Sequence, residues 1–305
     1  MALSPAIARL ACWLAFLAVA GVPCASRTLA RDDGQPETEF FEDKHLFGFT
    51  EGTDVGEAGS REAEFTTTGA FGKKGGGIYQ AIQQEAAYEA AATDRFGYEL
   101  IALGSWHAIA DVPGFDNLSQ VNFAGLAAQP KYIFLRRGVD APFGLAVSLE
   151  PAWIRIDDIS GMHATNFSLE TRVYLDKEFI EQKLLGAVNV LFASEAERDA
   201  LGASHYALFG ATGALTYRVA PEAFFGGEVQ YYQAWQSLGF SNSVGSAFYG
   251  GPTMHLQLGP KAFVSLAWSA QLSGSPRRLA PEGLIAFNQS DLARQRGQMV
   301  FGVEF

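Results

Sequence analysis

The sequence contains two cysteines, Cys12 and Cys24, and both lie in its first 30 residues. If that segment is removed, the remaining chain has neither thiol nor disulfide, which suits passage through an oxidising periplasm. Long hydrophobic runs are also lacking: beyond residue 30 no apolar stretch approaches the roughly 20 residues that a membrane helix needs. Basic residues are scarce. Taking Arg9 and Arg27 from the 22 basic residues leaves 20 against 33 acidic ones, a formal charge of −13. A balance so acidic excludes nucleic acid as a partner.

Residues 1–30 read as a secretory signal, with Arg9 preceding an apolar run from Leu10 to Val22. Cleavage fits after Ala25 or Ala30, and Ala30, behind Thr28 and Leu29, is taken as the boundary. The run is short for a membrane anchor, and Pro23 before Cys24 argues against a lipoprotein site. Residues 31–60 are polar and acidic, with Phe40, Phe41, Leu46, Phe47 and Phe49 as the sizeable apolar group. They are expected to form a periplasmic leader that folds up into a barrel mouth, too short for a separate plug domain.

Glycine and phenylalanine are abundant, at 33 and 24 residues, and the mean hydropathy is slightly positive at +0.05. Such a composition without apolar helices fits a sheet that shows alternate residues to lipid, which spreads its hydrophobic signal thinly. From Arg61 onward, period-2 alternation predicts twelve strands, over 61–71, 77–91, 95–107, 119–135, 142–155, 163–175, 182–193, 204–219, 222–235, 244–258, 261–272 and 293–305. In the sixth, Phe167, Leu169, Val173 and Leu175 alternate with Asn166, Ser168, Glu170, Arg172 and Tyr174. Residues 77–91 show a blurred pattern, and 119–135 changes parity near Ala127–Ala128, as a bulge would cause. Connections after even strands look short, and those after odd strands mostly longer, reaching 273–292. That asymmetry is expected of an antiparallel up-and-down transmembrane β-barrel in the outer membrane, with both termini periplasmic.

Trp106, Trp153, Trp235 and Trp268 each fall near the end of an odd strand with lipid-facing parity, which predicts an aromatic girdle at the outer interface. A soluble sandwich would not gather them on one side of one rim. The chain ends in an alternating strand, with Met299, Phe301, Val303 and Phe305 on one face. This ending resembles the last strand of Gram-negative outer-membrane β-barrels. The resemblance implies that Phe305 is the signal read by the barrel-assembly machinery. The stretches Leu46-Phe-Gly-Phe-Thr-Glu-Gly-Thr-Asp-Val-Gly56 and Gly144-Leu-Ala-Val-Ser-Leu-Glu-Pro151 resemble an uncharacterised family of proteobacterial envelope barrels. That likeness brings no functional residues with it.

Alternation places Glu64, Glu85, Glu89, Glu99, Glu150, Glu170, Glu228 and Glu304 in the lumen, against Arg172 and Arg218. Two readings stay open. One is an aqueous, cation-leaning path for small solutes; the other is a paired network filling a closed barrel that serves as an envelope scaffold, or recognises partners through its loops. Catalysis is not expected: Ser105 and His107 share a face, but no serine, histidine and acid spacing supports a triad. His107, His163 and His205 are too far apart in sequence to predict a metal site, and His255 reads as a hydrogen-bonded filler. The glycine-rich stretch 72–77 lacks phosphate-loop spacing and reads as a loop whose lysines meet lipopolysaccharide. No cofactor is expected. The partners expected are outer-membrane lipid and lipopolysaccharide, the assembly machinery and small solutes.

Overall fold

In a computed structural model the chain is described over residues 44–73, 75–199, 202–235, 237–238, 240–241, 243–275 and 293–305. The signal and most of the leader lie outside these residues. Twelve strands follow one another: β1 (Arg61–Phe71), β2 (Ile78–Thr93), β3 (Phe96–Ala110), β4 (Leu118–Leu135), β5 (Gly144–Ile156), β6 (His163–Ile180), β7 (Leu184–Asp199), β8 (Gly202–Ala220), β9 (Ala223–Trp235), β10 (Ser243–Gly259), β11 (Ala262–Ser275) and β12 (Gln295–Glu304). Each pairs antiparallel with its sequence neighbours. The sheet closes where β1 meets β12, from Glu62 opposite Glu304 to Phe71 opposite Gln295. Closure leaves no open edge, so every strand has a partner on both sides, as a sheet in hydrocarbon requires.

Alternation decides the two faces. On β6, Phe167, Leu169, Val173 and Leu175 are exposed on the outside, while Asn166, Tyr174 and Asp176 are buried inside. β8 repeats the pattern, with Leu215, Tyr217 and Val219 outward and Thr212, Ala214 and Thr216 inward. This is the transmembrane barrel arrangement of an apolar belt around a polar interior. The blurred pattern of β2 has a local cause: outward Gln84 donates to outward Thr67 on β1 at 2.7 Å, so the two polar groups satisfy each other on the belt.

Three sequence expectations need correction. The parity change in β4 lies at Ala124–Gly125, where the pairing with β3 slips between Leu103 and Gly104, ahead of the Ala127–Ala128 position. Gly125 has φ +151, and an added Cβ would collide with the Trp153 carbonyl on β5. Strands β6 and β7 run well past their expected ends, and β7 stays paired with β8 out to Asp199 opposite Gly202. The expected long connection there is therefore a projecting two-stranded ribbon. Finally, the connection at 136–143 is no shorter than those at 111–117 or 157–162, so loop lengths alone separate the rims less clearly than expected. Pro130 and Pro151, which have no N–H to donate, fall where the β4–β5 ladder breaks between Ala127 and Lys131.

Candidate functional site

Residues 44–56 thread through the interior at the rim where β1 begins, and strands around the wall bind them. Lys44, Leu46, Phe47, Thr50, Thr53 and Val55 are all buried. The segment forms no regular element, so its backbone must find partners on the wall. The Thr50 N–H donates to Glu228 Oε2 on β9 at 3.1 Å, and the Thr53 N–H to Asp176 on β6 at 2.7 Å. Asn189 on β7 meets both sides of Glu51: its side chain accepts from the Glu51 N–H and donates to the Glu51 carbonyl, each at 2.8 Å. Lys131 on β4 donates to the Gly52 carbonyl at 2.9 Å, Thr216 on β8 to the Leu46 carbonyl at 3.1 Å, and Ser265 on β11 to the His45 carbonyl at 2.6 Å. The tight turn at 47–50 needs its glycine: Gly48 has φ +87, and a Cβ there would press on Ala267 and Thr253 of the wall. Val55 packs with Ile133, Ala146 and Tyr174. This segment is an internal plug.

Charged side chains pair across the plug. Lys44 donates to Glu89 on β2, and to Glu99 on β3 at 2.6 Å. Arg172 on β6 joins Glu51 of the plug, at 2.7 Å, to its strand neighbour Glu170, also at 2.7 Å. Glu170 lies opposite Glu150 on β5, and Glu150 accepts from Gln129 at 2.8 Å. Burial alone would raise the Glu51 carboxyl, but the Arg172 guanidinium and then Lys131 outweigh it and hold Glu51 below the ordinary range. Arg218 lies elsewhere: its guanidinium caps the β8–β9 turn by donating to the Pro221 carbonyl at 3.0 and 2.6 Å.

Beyond the plug, toward the longer-loop rim, the barrel encloses a cavity of about 300 Å³. Tyr79, Tyr206, Tyr232 and Tyr249 line it, with Asp157, Asp158 and Glu195 as acids and Lys73 and Arg296 as cations. Arg296 on β12 lies 4.6 Å above the Phe49 ring of the plug and donates to Gln230 at 2.9 Å. Arg296 thus links the cavity wall to the plug. Lys73, placed by sequence toward lipopolysaccharide, is buried, with its ammonium 4.1 Å from the centre of the Tyr79 ring.

Alternation brings Glu99, Glu150, Glu170, Arg172 and Glu228 inside together. It misses Lys131, which follows the β4 bulge, and Asp176, which lies past a strand end set too early; Arg296, absent from the expected lumen charges, lies within the expected 293–305 strand at the parity of Gln298. It misses Lys44, His45 and Glu51 altogether, since a plug has no period to read. His45, Glu62, Glu64 and Glu89 each place one donor atom within 4.8 Å of the others, the one such histidine and carboxylate group among the described residues. The loop-rim histidines stand differently: His107 is buried with Nε2 3.0 Å from the Asp158 carbonyl, whereas His163 and His205 are exposed. His107 Nδ1 and Ser105 Oγ both lack a hydrogen-bond partner, so they form no bonded dyad. Trp106, Trp153, Trp235 and Trp268 all carry outward parity; Trp268 stacks on Phe71 with centroids 5.7 Å apart. Phe305, 61% exposed, ends the chain beside Tyr88.

The architecture is shared with the COG4313 outer membrane channel from Pseudomonas putida F1, at 10% identity and a TM-score of 0.56, covering 83% of this chain and 98% of that one. The NanC porin (9% identity, TM-score 0.46, covering 79% and 98%) is a more distant likeness. So is the KdgM porin in complex with disordered oligogalacturonate (8%, 0.46, covering 80% and 99%). No curated protein matches the chain by sequence. A model described as a family of unknown function, DUF6662, matches residues 39–305.

Proposed function

The chain belongs to the DUF6662 family, and we propose that it is an outer-membrane barrel whose lumen is a narrow, cation-leaning binding path for small solutes. The path is entered at the longer-loop rim and closed at the other by residues 44–56. The observation that carries this reading is the charged, tyrosine-lined cavity of about 300 Å³, whose Arg296 also contacts Phe49 of the plug. A concave site with a few convergent polar groups is where small molecules bind, and Asp157, Asp158 and Glu195 outnumber its two cations. The apolar outer belt, the secretory signal at 1–30 and the terminal Phe305 support the outer-membrane location, with both chain ends in the periplasm. Chemistry is not part of this reading.

The bonding of the plug to so much of the wall favours a second reading, a closed barrel acting as a scaffold or recognising partners through its loops, chiefly 273–292. Planar-bilayer recordings separate the two. The mature chain should open rarely, and a folded variant lacking residues 44–56 should show discrete, cation-preferring openings. A folded variant that stays silent at all voltages would establish the closed barrel instead.

A further inference from the structure

At the plug's first residues the interior holds more negative charge than its cations neutralise. Glu62 and Glu64 of β1, Glu89 of β2 and Glu99 of β3 are each less than one-tenth exposed. The cations facing these four carboxyls are the Lys44 ammonium, bonded to Glu89 and Glu99 and 3.8 Å from Glu64, and the His45 imidazole when protonated. Burying carboxylates without matching positive charge is strongly unfavourable. Three atoms in this cluster have no hydrogen-bond partner: Glu62 Oε1, Glu64 Oε2 and His45 Nε2. The last two lie 2.9 Å apart without donor–acceptor alignment, an ion pair while His45 is protonated and two free ligand atoms when it is neutral. Two ligands of one ion sit in this way, because bonds of about 2.0–2.2 Å hold neighbouring ligand atoms about 3–4 Å apart.

We propose that His45, Glu62, Glu64 and Glu89 bind a divalent transition-metal ion. One imidazole nitrogen with three carboxylate oxygens suits zinc, with manganese as the next candidate. The surroundings hold the ligands in place, as outer partners of metal ligands do. Thr66 donates to Glu64 Oε1 at 2.8 Å, leaving Oε2 for the ion. The His45 ring stacks on Phe263 with centroids 5.0 Å apart, and its backbone carbonyl is held by Ser265. Lys44 remains the partner of Glu99. The ion fastens the plug, through His45, to β1 and β2, and this site stands whether or not the cavity carries solutes.

The test uses the full mature chain folded in detergent, stripped with EDTA and titrated with Zn²⁺ by calorimetry, with bound metal counted by mass spectrometry. One zinc per chain is expected, together with a rise in the thermal unfolding temperature. His45→Asn and Glu62→Gln should each weaken binding at least tenfold while still running as heat-modifiable barrels. His205→Asn, exposed near the opposite rim, should bind as the parent does. Binding well below one ion per chain, or binding that His45→Asn and Glu62→Gln leave unchanged, would overturn the proposal.

Discussion

Replacing Lys44 with methionine removes the ammonium that Glu89 and Glu99 share and leaves their charges buried beside those of Glu62 and Glu64. Breaking a buried pair from one side costs about 3–5 kcal/mol, so Lys44→Met should lower the urea-unfolding midpoint in micelles by a matching amount. Adding Glu89→Gln and Glu99→Gln to it should recover part of the loss, since the orphaned charges are then gone. The Glu51–Arg172 pair sets an acid limit. A carboxyl held below its unfolded value of about 4.5 adds stability that is present above that pH and fades as pH falls through the depressed value. Stability measured against pH should therefore decline more steeply below about 4.5 in the parent than in Glu51→Gln. An equal acid limb in the two proteins would show that the pair contributes nothing. At this scale alternation alone reveals which strand residues point inward; it cannot show that Arg172 reaches a residue 121 positions earlier, because that contact depends on where an aperiodic segment comes to rest.

Among the elements, β4 is held in shape by one backbone position. Gly125 combines φ +151 with contact against the Trp153 carbonyl, and a side chain there costs of order 1–3 kcal/mol in strain alone. Gly125→Ala should reduce stability by at least that much, whereas Gly213→Ala, whose added Cβ meets the wall at an ordinary 3.8 Å, should be tolerated. Comparable losses at the two sites would show that the bulge is not special. The strands themselves were legible: twelve were expected and twelve form, most starting within a residue or two of the expected position. Period-2 patterning survives because lipid on one side and a polar lumen on the other act on every residue pair. Their ends were less legible. In β7 and β8 the backbone ladder continues to Asp199 and Gly202, beyond the reach of the period-2 pattern by which the strand ends were set.

For the molecule as a whole, Phe65, Leu100, Val121, Phe167, Leu215 and Leu272 are exposed on the outside. Patches of this kind are aggregation-prone in water. The purified mature chain should stay monodisperse in detergent and aggregate when detergent is withdrawn, and a stable monomer in plain buffer would contradict a lipid-facing belt. The terminal Phe305 permits a finer test. Phe305→Ala should lower the amount of folded barrel assembled in cells while leaving refolding into micelles nearly unchanged, because its ring is largely exposed and meets the protein chiefly at Tyr88. Equal losses in both settings would make it a packing residue and not an assembly signal.

The seam between β1 and β12 joins the earliest strand to the last one synthesised. A polypeptide clipped between Ser275 and Gln295 keeps eleven strands but becomes a ribbon with two raw borders, each able to recruit backbone from a neighbouring molecule. Shortening from the carboxyl end should therefore yield insoluble polymer, never a smaller working pore.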